Sequence, residues 1–111
     1  TSVCEFHYLH HDVDGRAYAT PTAMSDAIIE AAREAGIRLT LLPVLYQRGG
    51  FDGRALSERQ QRFGYGTDAF LRLVDALRAR ESDTLRVGVA FHSLRAVEVA
   101  AMREVLAAFP Q

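Results

Sequence analysis

A strand, a loop and an amphipathic helix recur three times along this chain, and the repetition predicts an α/β fold of parallel βα units joined by right-handed crossovers. Two further observations narrow it. The middle strand is a nearly continuous apolar run of Leu39, Leu41, Leu42, Val44 and Leu45 around Thr40 and Pro43, the pattern of a strand covered on both faces. Three such strands standing alone would also leave apolar edges unpaired, which natural proteins avoid. An open doubly wound sheet and a slice of a (β/α)₈ barrel both fit the repetition, and the edges favour the slice. The chain starts at Thr1, at the first residue of a strand pattern, and stops at Pro110-Gln111 straight after a helical one. Residues 1–111 are therefore expected to be one partial barrel domain of about three βα units, truncated at both ends.

Residues 1–8 read as the first strand. Cys4 within it is expected to be a buried, inert thiol, and a lone cysteine excludes both a disulfide framework and a multi-cysteine zinc site. A polar loop over 10–19 leads to Thr20-Pro21, expected to open a helix with Thr20 as N-cap and Pro21 at the first helical position. Met24, Ala27, Ile28, Ala31 and Ala35 recur at helical spacing, and Gly36 is placed to end the helix as its left-handed residue. The second unit begins at Ile37. Pro43 cannot donate to a strand ladder, so it is expected to mark a bulge or the strand's carboxyl end. The long loop over 47–66, with Gly49-Gly50 and Asp52-Gly53, is expected to be functional or an interface arm. Thr67-Asp68 is expected to cap the next helix, whose apolar face is Phe70, Leu73, Val74 and Leu77. The third unit is a strand over 85–91 and a helix presenting Val99, Met102, Val105, Leu106 and Phe109.

Composition excludes several classes of function. An apolar share of 49% and a charged share of 24% are those of an ordinary globular domain, and 111 residues allow at most one of modest size. Thirteen basic residues, all of them Arg, stand against fourteen acidic ones, so neither nucleic acid nor an anionic membrane is favoured as main partner. No apolar run is long enough to span a membrane and no signal peptide is visible, which makes a cytoplasmic location the default expectation.

The stretch Val87-Gly88-Val89-Ala90-Phe91-His92-Ser93-Leu94-Arg95 carries the sharpest chemical signal. It runs from a buried strand into a His and an Arg, at the position where α/β folds keep their chemistry, outside the carboxyl ends of parallel strands. Arg95 suits a substrate carboxylate, which it can grip through paired N–H bonds. A cation in the first turn of a helix would oppose the helix dipole, a second reason to expect an anionic partner for Arg95. His92 can exchange a proton near neutral pH or hydrogen-bond the substrate. The bland alternative is a His bonded to backbone and a solvated Arg. Tyr8, at the end of the first strand, can reach a ligand through its hydroxyl. His7, His10, His11 and the neighbouring carboxylates invite a metal reading, but strand alternation is expected to send His7 and His10 to opposite faces. A hydrogen-bonded loop bracing the βα turn is the expected role of His10, His11 and Asp12. The turn Gln47-Arg48-Gly49-Gly50-Phe51 is a weaker candidate, expected to be a solvated loop or subunit contact.

At Glu5-Phe6-His7-Tyr8 with His10-His11-Asp12, at Leu41-Leu42-Pro43-Val44-Leu45-Tyr46, and at Phe91-His92-Ser93-Leu94-Arg95-Ala96-Val97, the chain resembles the formimidoylglutamate deiminases of the amidohydrolase superfamily. The likeness runs over essentially the whole chain, including Gly49-Gly50-Phe51 and residues 59–63. It implies roughly strands two to four of a (β/α)₈ barrel. It implies an enzyme of histidine degradation that converts N-formimino-L-glutamate and water to N-formyl-L-glutamate and ammonia. It also implies one divalent metal, usually zinc, whose ligands and whose catalytic acid/base lie outside this chain, and a full-length homodimer. Carried over by position, Tyr8, His92 and Arg95 match substrate-contacting residues. Arg95 and Tyr8 would hold a carboxylate of the glutamate part, and His92 would contact the α-carboxylate or the formimino end. The segment alone is then expected to be inactive, because water activation needs the missing ligands. Two alternatives stay open: another amidohydrolase deaminase of a carboxylate-bearing substrate, and a non-catalytic βα module that binds a small acid.

Overall fold

Burial of the apolar runs against three helices produces a parallel sheet with one covered face. In the computed structural model, which describes residues 1–109, the elements follow one another as β1 (Ser2–His7), α1 (Ala23–Ala35), β2 (Arg38–Leu45), a 3₁₀ segment (Glu58–Phe63), α2 (Thr67–Arg78), β3 (Leu85–Val87), β4 (Ala90–Phe91) and α3 (Val99–Ala108). The expected end at Pro110-Gln111 lies outside the described residues. β2 is central: β1 pairs with it in parallel from Ser2↔Arg38 to His7↔Pro43, and β3 and β4 pair with its other edge.

β3 and β4 are two halves of one strand. Leu85 pairs with Leu39 and Phe91 with Leu45, the same offset on both sides of the gap, so no residue is inserted between them. On this edge of β2 the odd-numbered residues make the bonds: Leu39 N donates to Thr84 O, Gly88 N to Leu41 O and His92 N to Leu45 O. The next donor in that series is Pro43, which has no N–H. Contrary to the expectation from the sequence, Pro43 neither bulges nor ends β2; it sits inside the strand and interrupts the neighbouring ladder instead.

Side chains alternate across the sheet, and the register sorts them. Leu39, Leu41, Leu45, Leu85 and Val87 join Phe70, Leu73, Val74 and Leu77 of α2, Ala32 of α1 and Val105 of α3 in one core. All three helices thus cover the same face. The opposite face carries Cys4, Phe6, Thr40, Leu42 and Arg86, with Phe6 61% exposed. Cys4 is exposed, contrary to the expected buried thiol, because β1 is an edge strand with helices on one side only.

α1 starts later than the sequence suggested, and α2 one residue earlier. Thr20-Pro21-Thr22 form a turn in which Ala23 N donates to Thr20 O, so Thr22 rather than Thr20 precedes α1, and its hydroxyl donates to Asp26 Oδ2 at 3.0 Å. Gly36 ends α1 in the left-handed region at φ 72°, as expected. The buried stripe of α1 is rotated from the expected one. Ser25 and Ala32 are buried while Ala27, Ala31 and Ala35 are exposed, since Ser25 Oγ is drawn inward to His7 Nε2 at 2.9 Å. Gly66, not Thr67, precedes α2, and the four expected apolar residues of α2 are all buried. In α3, Val105 is buried, but Val99 and Leu106 stand half exposed.

Phe70 is fully buried under β2, and its replacement by Ala is expected to cost about 3–5 kcal/mol of stability through lost burial and an unfilled cavity. Leu106→Ala, on the exposed side of α3, is expected to cost less than about 1 kcal/mol. Denaturant unfolding midpoints of the two variants check the contrast, and equal losses would contradict this placement of the core.

Candidate functional site

Parallel pairing sends every strand's carboxyl end to the same edge of the sheet. Tyr8 follows β1, Tyr46 follows β2 and His92 follows β4, so the three rings meet there without any help from long-range loops. Tyr8 packs edge-on against His92 with ring centres 5.0 Å apart, and Tyr46 lies 4.4 Å from His92. Phe63, from the end of the 3₁₀ segment, closes the group at 5.0 Å from Tyr8 and 5.5 Å from Tyr46. Tyr8 and His92 line a recess of about 440 Å³ together with Phe6, Leu42, Val44, Ala90 and Phe91.

Arg95 stands behind this group, half-buried. Its Nη1 donates to Tyr46 Oη at 3.4 Å and to Gly49 O at 3.5 Å, and it makes no ion pair among the described residues. The loop is anchored from below: Ala96 O accepts the N–H groups of both Gln47 and Arg48, and Arg48 pairs with Glu98 at 3.0 Å. Arg95 lies in a turn, four residues before α3 begins, so the helix dipole does not act on it in the way the sequence suggested. Its need for an anion rests instead on a half-buried positive charge that has only neutral partners. That charge also reaches His92. Burial first, and the Arg95 cation second, lower the His92 pKa, so the imidazole is neutral at pH 7. The Ser93 hydroxyl lies 3.2 Å from His92 Nδ1 and accepts from Ala96 N–H, so its own hydrogen is free to go to Nδ1. The neutral imidazole keeps one N–H and one bare ring nitrogen, so it can donate one hydrogen bond and accept another.

The structure therefore gathers Tyr8, His92 and Arg95 at one place, joined through Tyr46. Sequence reasoning missed Tyr46, Phe63 and Gln60 as members of the site. Tyr46 was legible as the first residue after an apolar strand, the same signal that marked Tyr8 and His92. Phe63 and Gln60 gave no such signal, because a 3₁₀ segment within a 20-residue loop brings them in.

No protein-family profile matches the chain. It is 53% identical over 109 residues to a formimidoylglutamate deiminase from Pseudomonas aeruginosa, an alignment that takes in 97% of this chain and 24% of that protein. This chain matches a quarter of a deiminase. The crystal structure of an amidohydrolase from Brucella melitensis superposes with a TM-score of 0.88 at 45% identity, over 94% of this chain and 24% of that one. A triazine hydrolase from Arthobacter aurescens, modified for expression, shares the fold alone at 19% identity, with a TM-score of 0.72 over 96% of this chain and 23% of its own. The chain thus spans about a quarter of the length of the proteins it matches.

The histidine cluster is arranged for structure. His7 and His10 do not diverge, as strand alternation suggested; β1 ends at His7, and the turn that follows brings the two rings to 5.1 Å. Their Nε2 atoms are already engaged, His7 with Ser25 Oγ at 2.9 Å and His10 with Val44 O at 2.8 Å. The backbone N–H groups of His10 and His11 both donate to Arg62 O, tying the β1 loop to the 3₁₀ segment. Among the described residues no group of three His, Cys, Asp or Glu side chains could hold a metal ion. The described residues therefore hold no complete metal site of their own. A larger recess, about 710 Å³, lies on the helix side, lined by His10, Tyr18, Tyr65 and Arg72 among others. It shares no lining residue with the recess of Tyr8 and His92, and the ring cluster is the better candidate because three strand ends converge on it.

Burial lowers His7 and His10 to pKa values of about 4, from an ordinary 6.5. Between those values the unfolded chain takes up protons that the folded one refuses. Stability should be full above pH 6.5, fall as the pH drops toward 4, and level off below. Each residue should contribute on the order of 3 kcal/mol to that fall. Urea midpoints measured from pH 7.5 to 4 check this, and His10→Gln should flatten the slope; an unchanged slope in that variant would assign the acid sensitivity elsewhere.

Proposed function

We propose that this chain is part of a formimidoylglutamate deiminase, and that it supplies the pocket wall that recognises the glutamate part of the substrate. On this reading it forms roughly strands two to four of a (β/α)₈ barrel. The reaction is hydrolysis of N-formimino-L-glutamate to N-formyl-L-glutamate and ammonia. A divalent metal, usually zinc, activates the water from ligands beyond this segment, and the complete protein is a cytoplasmic homodimer. The observation that carries the reading is the 53% identity to a deiminase along nearly the whole chain. The site geometry supports it, since a carboxylate-bearing substrate needs a cation at the strand ends and Arg95 stands there without an anionic partner.

The roles follow from chemistry. Arg95 offers a planar guanidinium whose N–H bonds match the two oxygens of a carboxylate. The Tyr8 hydroxyl can add a further bond to the same group. His92, neutral at pH 7, donates a hydrogen bond without adding a second positive charge beside Arg95. None of the three has to move a proton, so the segment binds and orients while the chemistry proceeds on other residues.

The test is ammonia release from N-formimino-L-glutamate by the complete, metal-loaded enzyme. Arg95→Ala is expected to raise KM by roughly tenfold to a hundredfold with a smaller change in kcat, the signature of lost binding. The 111-residue segment alone should release none. Failure of the wild type to turn over this substrate would reject the assignment, and turnover by the isolated segment would overturn the division of labour.

A further inference from the structure

Tyr46 is buried in the core, with 3% of its surface exposed, yet its hydroxyl accepts two hydrogen bonds. One comes from Arg95 Nη1 at 3.4 Å and the other from Gln60 Nε2 at 3.2 Å. The direction of the Gln60 amide is fixed, because its Oε1 accepts Ser57 N–H at 2.8 Å and only the NH₂ end is then left for Tyr46. Ser57 and Gln60 form a reciprocal cap on the 3₁₀ segment, so that amide is held by backbone rather than by a mobile side chain. Gly49, the second acceptor of Arg95 Nη1, is equally constrained. A Cβ there would lie 2.7 Å from Ala55 O and 3.1 Å from Gln60 Oε1, so only glycine brings its carbonyl this close.

The consequence for Arg95 is directional. Its Nη1 corner is spent on two acceptors from a rigid frame, while Nε and Nη2 have no partner among the described residues. Those two atoms share one edge of the guanidinium, and their parallel N–H bonds are the pair that receives a carboxylate side-on. We propose that Tyr46 and Gln60 are positioning residues that turn Arg95 so that its Nε/Nη2 edge receives a substrate carboxylate beside Tyr8 and His92. The inference rests on the reading that Arg95 grips a carboxylate and goes beyond it by assigning what aims the grip. A guanidinium that loses Tyr46 Oη keeps its charge but swings, so binding suffers and the chemical step does not.

The experiment uses the complete enzyme, with Tyr46→Phe and Gln60→Ala made in the wild-type and Arg95→Ala backgrounds. Ammonia release gives kcat and KM, and calorimetry gives the affinity for glutarate, a plain dicarboxylate. Tyr46→Phe keeps the ring packed against His92 and Phe63, and an unchanged thermal midpoint certifies the fold. It is expected to raise KM about fivefold to tenfold, with kcat within about twofold, and to weaken glutarate binding in proportion. Gln60→Ala should act in the same direction and add less than its separate effect when combined with Tyr46→Phe. With Arg95 replaced by Ala, neither substitution should matter further. An unchanged KM in Tyr46→Phe, or an equal loss in the absence of Arg95, would overturn the inference. The two readings fail differently. A wild type that is inactive on N-formimino-L-glutamate, yet binds glutarate through Arg95 and more weakly after Tyr46→Phe, rejects the substrate and upholds the positioning. A wild type that binds no carboxylate overturns both.

Discussion

Among the described residues the outer strands of this sheet do not pair with each other; the strand that each pairs with is β2. β2 in turn is held by one covered face, where Leu39, Leu41 and Leu45 lie against Phe70, Leu73, Val74 and Leu77. Each fully buried side chain there contributes roughly 1.5–3 kcal/mol. This packing also sets the height at which β2 ends. Tyr46 emerges level with His92 and two residues beyond Tyr8, because the strands run in parallel from fixed registers on β2.

Above the sheet, carbonyl groups hold the loops to one another. Arg62 O receives the β1 loop, Tyr46 O receives Tyr65 N–H, and Ala96 O receives the two residues that open the β2 loop. His10 adds a side-chain bond to Val44 O from the adjacent strand end. The bonds to Arg62 O, Ala96 O and Val44 O each join two different βα units, and the Tyr46–Tyr65 bond closes the β2 loop on itself. Arg95 therefore inherits its position from three segments at once, although no regular element contains it.

Much of this was legible in the sequence. The parallel repeats, the core face of α2, the left-handed Gly36 and the convergence of Tyr8, His92 and Arg95 all follow from local patterns acting over a few residues. The failures have physical causes. Cys4 and the alanines of α1 were read as buried because periodicity reports apolar character and not which faces find a covering layer. Pro43 was expected to disturb its own strand, but its missing N–H points at the neighbour and the disturbance appears there. His7 and His10 were separated by an alternation that holds only while the strand continues. Gln60 and Phe63 reach the site through a 3₁₀ turn inside a long loop, whose path depends on contacts far apart in sequence.

The break between β3 and β4 also constrains how this segment can vary. Gly88 sits opposite the interruption, on the face that carries Leu42, and a methyl group at 88 would come within 2.7 Å of Leu42 Cδ2. Pro43 withholds the hydrogen bond that would otherwise hold the backbone of Gly88 in place. Residues 42, 43 and 88 are therefore coupled by contact. A side chain at 88 requires Leu42 to turn its Cδ2 methyl aside or to be smaller, and a donor in place of Pro43 would supply the bond that Gly88 O lacks. Co-substitution at 88 and at the adjacent pair 42 and 43 is the trace that such a contact would leave in a lineage.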